Sequence, residues 1–212
     1  MKNIFLVILL SFFLNGCLFQ ETRNIKVNDL KLLELTSKLD CKSGAHQMLF
    51  LEGPINNDSV ITVGKILSQQ TKCLDKNGEV KPTIVLLDSR GGYLRDGFAL
   101  GELFTKYKVA TEINYGDQCM SACATAFLGG FPRRMNKGAQ IMVHAPYVNG
   151  VNQTIECASR EAALELKNYY ISKIGIKDGK LLFDKTMSFC GSSEGWYLNN
   201  DAALLFNIIT ES

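Results

Sequence analysis

Residues Gly116 to Gly130 read GDQCMSACATAFLGG, one hydroxyl, Ser121, set among small residues between two runs of strand character. Upstream, Thr83 to Ser89 reads TIVLLDS, a run with the apolar content of a buried strand. It opens into Arg90-Gly91-Gly92, where glycine permits torsions and close approaches that side chains forbid. Downstream, Gln140 to Val143 is another short strand, and it delivers His144. A Gly-Gly turn, a serine at a helix start and a histidine, each at a strand end, together suggest a serine hydrolase.

The rest of the chain supplies repeated strand–helix units. His46 to Glu52 reads as a strand ended by Gly53-Pro54, with His46 a core histidine, and Ser59 to Gln70 carries Val60, Val63, Ile66 and Leu67 at helical spacing. Thr71 to Pro82 is a polar loop turning at Lys76-Asn77-Gly78. Then come the strand Thr83 to Asp88 and a helix from about Leu94 to Tyr107 with Phe98, Leu100, Leu103 and Phe104 on its buried side. Val109 to Tyr115 alternates as a third strand, and Ala122 to Leu128 is a short apolar helix for the middle of the fold. Phe131 to Gly138, with Arg133-Arg134, reads as an exposed, solvated connection. After the loop Pro146 to Thr154 follow a polar helix, Glu156 to Ile174, with Ala163, Leu166, Tyr170 and Ile174 as its stripe, and a short helix, Lys180 to Met187. Trp196 to Leu198, Asn200 to Leu205 and Phe206 to Ile209 read as strand, helix and closing strand. Repeated βα units with buried parallel strands define an α/β fold.

The chain has 212 residues, 46% of them hydrophobic, which suits one sizeable core preceded by a leader. Its net charge of +2 comes from basic and acidic residues spread along the chain, so nucleic acid is not expected as a partner. Residues 1–17 have the form of a signal peptide: Lys2, the apolar run Ile4 to Leu14, then Leu14-Asn15-Gly16-Cys17. That run is too short to span a bilayer as a helix. Its ending resembles a bacterial lipobox, with Cys17 as the lipidated residue. The resemblance implies a membrane-anchored protein of the bacterial periplasm or cell envelope, and Leu18 points to the outer membrane. Residues 18–40 then read as a polar linker, Phe19 to about Asn28, and a short amphipathic peripheral piece, Leu30 to Leu39, ahead of a domain over 41–212. Six further cysteines, Cys41, Cys73, Cys119, Cys123, Cys157 and Cys190, permit three bridges in an oxidising compartment and fifteen ways to pair. With no CxxC pair and no clustered histidines, metal is not expected.

The order of strand, DSRGG, helix, strand, CMSACATAFLGG and IMVHAPY resembles the Clp-protease-like and crotonase superfamily, in particular the proteolytic subunit of Clp protease and its exported relatives. The similarity runs from about Met48 to Ile209. It implies stacked βα units on a mostly parallel sheet with a protruding handle-like helix, matched by Glu156 to Ile174, and a homo-oligomer. It also implies Ser121 as nucleophile, His144 in Val143-His144-Ala145-Pro146 as base, and the amides of Gly92 and Ala122 as oxyanion hole. Arg90 stands where that family usually has proline. If the chain folds as the resemblance implies, Cys41 could reach Cys73 and Cys157 could reach Cys190, leaving Cys119 and Cys123 to clamp the turn at Ser121.

These residue types suit acyl transfer. A serine needs a base to take its proton and return it to the leaving group, and an imidazole does both. A serine at a helix start also offers free amides and the positive end of the dipole to an oxyanion. The third member is open: the family's aspartate aligns with Gly195, so Glu194 is the first choice to orient His144, with Asp184, Asp201 or a backbone carbonyl as alternatives. The expected activity is ATP-independent cleavage of peptides or unfolded proteins without cofactor or ATPase partner, since no G-x-x-x-x-G-K-[ST] loop is present. The rivals are a catalytically silent binding scaffold at the envelope, favoured by the missing aspartate, and crotonase-type chemistry on a thioester.

Overall fold

The computed structural model describes residues 20–27, 30–37, 47–69, 74–75, 77–149, 154–191 and 194–211. The leader with Cys17, and Cys41, His46 and Cys73, lie outside the described residues.

A six-stranded sheet forms the centre. In chain order its strands are β1 (Gln20–Val27), β2 (Leu30–Ser37), β3 (Met48–Glu52), β4 (Ile84–Asp88), β5 (Ala110–Ile113) and, after the short β6 (Gln118–Met120), β7 (Arg133–Met135). The spatial order is β1-β2-β3-β4-β5-β7. The pairings β3–β4, β4–β5 and β5–β7 are parallel, whereas β1–β2 and β2–β3 are antiparallel. Val85, Leu86 and Leu87 of β4 are all buried, the mark of a parallel strand covered on both faces. The helices that join these strands are α1 (Asn57–Gln69), α2 (Leu94–Tyr107) and α3 (Ala122–Phe127). A second sheet of three strands, β11-β8-β6, is built from β8 (Gln140–Val143) and β11 (Trp196–Leu198) beside β6. There β6 and β8 run parallel and β11 antiparallel to β8. This is the mixed α/β architecture with a mostly parallel sheet that the βα repeats suggested.

Several local expectations change. Residues 20–27 and 30–37, read as linker and peripheral piece, form a hairpin whose second strand adds to the otherwise open edge of β3. An unpaired strand edge leaves a row of backbone donors and acceptors, and the hairpin satisfies it. The Phe131–Gly138 connection contains β7, and Arg133 is buried rather than solvated. Its guanidinium donates to the carbonyls of Ile208, Asn207 and Gly130 at 2.7, 2.9 and 3.2 Å, while Arg134 pairs with Glu211 at 2.7 Å. Phe206–Ile209 is not a strand: it turns back so that Ile208 and Ile209 are buried and the Asn207 and Ile208 carbonyls receive Arg133.

The region read as one helix from Glu156 begins differently. Residues Tyr147–Asn149 (β9) and Ile155–Cys157 (β10) pair as an antiparallel hairpin. The helix α4 starts only at Arg160, where the Ser159 hydroxyl accepts the Ala162 amide at 3.2 Å. It ends at Ile174 and is followed by α5 (Ile176–Met187), four residues longer at its start than the sequence suggested, and by α6 (Asn200–Leu205) after β11. The inner stripe of α4 is Leu166, Tyr169 and Tyr170, so one face of this handle-like helix is packed inward. Tyr169 stacks on Phe98 of α2 at 4.8 Å between ring centroids and donates its hydroxyl to the Thr125 carbonyl at 3.0 Å.

Candidate active site

Ser121 is fixed by three strand ends. The Ser89 amide just past β4 donates to the Gln118 carbonyl at 2.8 Å, and the Met120 amide donates back to the Ser89 carbonyl at 2.9 Å. The Ser121 amide then donates to the Met142 carbonyl of β8, also at 2.8 Å, two residues before His144. Between these ties the chain reverses from β6 into α3, and Ser121 takes φ 56° and ψ −121°. Positive φ in a non-glycine residue costs free energy and persists only where surroundings enforce it. Here they are the ladder on one side, the fully buried α3 on the other, and the Cys119–Cys123 disulfide bracketing the turn.

The glycines explain how the helices come so close. A Cβ at Gly91 would stand 2.5 Å from the Met120 carbonyl oxygen, 2.8 Å from Ser121 Cβ and 2.9 Å from the Ala122 nitrogen. With φ +96°, Gly91 is a position that only glycine fills without strain. Gly97 of α2 likewise lets the backbone of α3 approach, since a Cβ there would lie 2.7 Å from the Ala122 carbonyl.

The Gly-Gly turn is itself pinned. Ile55 donates its amide to the Gly91 carbonyl at 2.8 Å and accepts the Tyr93 amide at 3.0 Å, so Gly92 is held between two bonds to one residue. Next to Ile55, Asn56 and Ser59 exchange side chain for backbone at the start of α1: Asn56 Oδ1 accepts the Ser59 amide at 2.9 Å and Ser59 Oγ the Asn56 amide at 3.0 Å. Ser89 Oγ donates to the Gly53 carbonyl at 2.5 Å and accepts the Gly91 amide at 3.0 Å, closing the frame.

Gly92, Ser121, Ala122 and His144, the four residues expected to form nucleophile, base and oxyanion hole, line one cleft of about 1050 Å³. The Ala122 amide opens α3 and has no acceptor within the helix. His144 is half-buried, 5.6 Å between ring centroids from Tyr147, and its Nδ1 lies 2.8 Å from the Ala145 carbonyl oxygen. A carbonyl only accepts, so Nδ1 carries the proton and Nε2 is left with its lone pair. Among the described residues no hydrogen bond joins Ser121 Oγ to the His144 ring, and both line the cleft.

Among the described residues no hydrogen bond or ion pair joins Glu194 to His144. The β11–β8 pairing ends at Trp196 with Val143, so Glu194 and Gly195 lie just before the paired residues of β11. Glu194 is exposed and does not line the cleft. At Gly195 a side chain would run into the Met142 side chain, whose Cγ would be 2.7 Å from its Cβ.

The floor of the cleft was not read from the sequence. Thr125 follows Ser121 by one helical turn and faces the same way, a spacing that could have revealed it. Leu166 and Tyr170 of α4 complete the floor, where the sequence pattern places both in a packing stripe. Burial pushes the Tyr170 phenol up to about 12 against the pull of the Thr186 and Thr125 hydroxyls, so it faces the cleft as a neutral group. Burial likewise raises Asp117, with the charge of Asp88 adding to it, but Asp117 stands outside the cleft lining.

The bridges Cys119–Cys123 and Cys157–Cys190 are present as expected from the resemblance. The second ties the β9–β10 hairpin to Cys190, which pairs with Ala145, while the neighbouring Phe189 carbonyl accepts the Ala145 amide at 2.7 Å. Each bridge therefore supports one of the two candidate catalytic residues.

The profile of the Clp protease family matches residues 41–179. Among solved structures, a mutant of ClpP1 from Listeria monocytogenes superposes with a TM-score of 0.57 at 16% identity, covering 77% of this chain and 89% of its own. A mutant of the 1510-N membrane-bound stomatin-specific protease gives 0.57 at 18% identity over 76% of each chain. Another mutant of that protease, in complex with a substrate peptide, gives 0.56 at 19% identity over 76% of this chain and 72% of that one. No curated protein matches significantly. At these identities the structural likeness is one of fold.

Proposed function

The chain belongs to the Clp protease family, and on that premise we propose that it is an exported, lipid-anchored serine peptidase, independent of ATP, with Ser121 as nucleophile and His144 as base. The observation that carries this reading is Ser121 at φ 56° on the start of α3, sharing one cleft with His144, Gly92 and Ala122.

In the proposed reaction Nε2 of His144 takes the Ser121 proton as Oγ attacks the scissile carbonyl carbon. The oxyanion is held by the Gly92 and Ala122 amides, each such donor contributing about 2.7 to 4 kcal/mol of transition-state stabilisation. His144 returns the proton to the leaving amine, and water, activated by the same ring, hydrolyses the acyl-enzyme to free acid and Ser121. The carbonyl of Ala145, bonded to Nδ1, holds the tautomer that a carboxylate holds in a triad. The Ser121–His144 hydrogen bond that this reaction needs forms when substrate fills the cleft, as catalytic hydrogen bonds often tighten only in the complex.

Export is supported by the leader ending at Cys17 and by the disulfides, which persist in oxidising compartments. Among the described residues no helix is long and apolar enough to cross a membrane. One observation favours the silent scaffold as a second reading: the Met142 side chain occupies the space beside His144 that a residue at Gly195 would need.

The test is the intact mass of the oxidised protein after treatment with a fluorophosphonate, beside a Ser121→Ala control. One adduct, absent from the control, is expected. A folded, oxidised protein that takes no adduct returns the assignment to the scaffold.

A further inference from the structure

Arg90 departs from the rest of the cleft. Among the described residues that line it, Arg90 is the only one of fixed charge, and no aspartate or glutamate is present. Its side chain is exposed and makes no ion pair among the described residues. Its backbone is rigid. Ser89 is bonded to Gln118 and Gly53, and Gly91 to Ser89 Oγ and Ile55, so both neighbours of Arg90 are locked to other elements. A guanidinium with no ion-pair partner among the described residues, on a base held by its neighbours' hydrogen bonds beside the cleft, is a ready-made receptor for a planar anion.

We propose that Arg90 is a specificity residue, selecting substrates with a carboxylate close to the scissile bond. The proposal rests on the peptidase reading for its chemistry and on the cleft alone for its binding. Arg90 and Gly92, one of the two proposed oxyanion donors, both line the cleft, and the two residue steps between them span at most about 7 Å. With the scissile carbonyl at Gly92 and Ala122, the guanidinium therefore reaches a carboxylate within about two residues of the cut. A fork of N–H donors matches both oxygens of that group, and the low-dielectric walls of a cleft strengthen the attraction. No acidic lining residue competes for it. The carboxylate can come from an Asp or Glu side chain or from a free C terminus, and the two sources are separable.

The experiment uses the oxidised protein and two pairs of fluorogenic peptides. One pair has amidated ends and differs only in Glu against Gln beside the cleavage site; the other is neutral and differs only in a free against an amidated C terminus two residues beyond it. We expect kcat/KM to favour the carboxylate member of at least one pair by about tenfold, a typical scale for a charge-assisted hydrogen bond. The preference should fall to parity in Arg90→Gln and turn toward Lys-bearing peptides in Arg90→Glu. The pair that responds identifies the source. Parity in the wild-type protein for both pairs, or a preference that survives Arg90→Gln, overturns the proposal. The same peptides are also titrated against Ser121→Ala, where affinity should show the same, salt-sensitive preference. Absent fluorophosphonate labelling would remove the peptidase reading while this affinity difference still decides the role of Arg90; equal affinities there count against it.

Discussion

Nδ1 of His144 lies 2.8 Å from the carbonyl oxygen of Ala145, the next residue along its own chain. That carbonyl is fixed in turn, because the Ala145 amide donates to Phe189 and Ala145 bridges to Cys190. The imidazole is thus steered by backbone. Replacing Glu194 by Gln should leave the rate of fluorophosphonate labelling at Ser121 unchanged, since Glu194 lies outside the cleft. A labelling rate that drops with Glu194→Gln would return the orienting role to that carboxylate.

Gly91→Ala should be far more damaging than its single methyl suggests. The new Cβ would stand 2.5 Å from the Met120 carbonyl and 2.8 Å from Ser121 Cβ, at a backbone φ of +96°. Relief requires the Gly-Gly turn or the serine to shift, which misplaces an oxyanion donor and costs about a hundredfold or more in labelling rate. Circular dichroism should show the fold retained. Labelling within a few-fold of wild type would mean that the turn is not part of the site.

The two described bridges should separate stability from reactivity. Chain-entropy arguments give about 2 kcal/mol for the short Cys119–Cys123 loop and about 4 kcal/mol for Cys157–Cys190. The double replacement Cys157→Ser with Cys190→Ser should therefore lower Tm more. Cys119→Ser with Cys123→Ser should slow labelling more for each degree of Tm lost, because it frees the positive-φ turn at Ser121 itself. The comparison is made by thermal melts beside labelling rates on the same preparations.

Arg133 is structural, and its neighbours say how strongly. Removing its guanidinium in Arg133→Met strands the buried carbonyls of Ile208 and Gly130 and takes a donor from the part-buried carbonyl of Asn207, at a cost of about 3 kcal/mol. Arg133→Lys should recover only part, since an ammonium lacks the planar fork that serves three carbonyls at once. Urea melts of both variants check the order: wild type, then Lys, then Met.

Alkaline pH should destabilise the protein through α4. Burial holds the Tyr170 phenol protonated up to about 12, against an ordinary value of 10.0, and raises Tyr169 in the same direction. Between pH 10 and 12 the unfolded chain releases a proton that native Tyr170 keeps, so this contribution is complete below about pH 10 and is lost as pH rises. Phenolate absorbance should lag behind that of the denatured protein by two tyrosines until the fold gives way. Ionisation of all seven tyrosines in one step, with the fold intact, would contradict the buried placement of the pair.

The sequence by itself determined the βα order, the bounds of α2 and the company of Ser121, His144 and the Gly-Gly turn. Those signals are local: apolar runs mark strands, spacing marks helices, and glycine marks close approach. Tertiary structure decided what depends on partners distant in sequence. Residues 20–27 and 30–37 became strands because β3 offered an edge, and Arg133 became a core residue because the last turn of the chain brought it the carbonyls of Asn207 and Ile208 beside that of Gly130. It also set the hydrogen-bond partner of the His144 ring. One sequence position separates Glu194 from Gly195, and only the folded chain shows Glu194 exposed outside the cleft, Met142 in the space that a side chain at Gly195 would need, and the Ala145 carbonyl on the His144 ring.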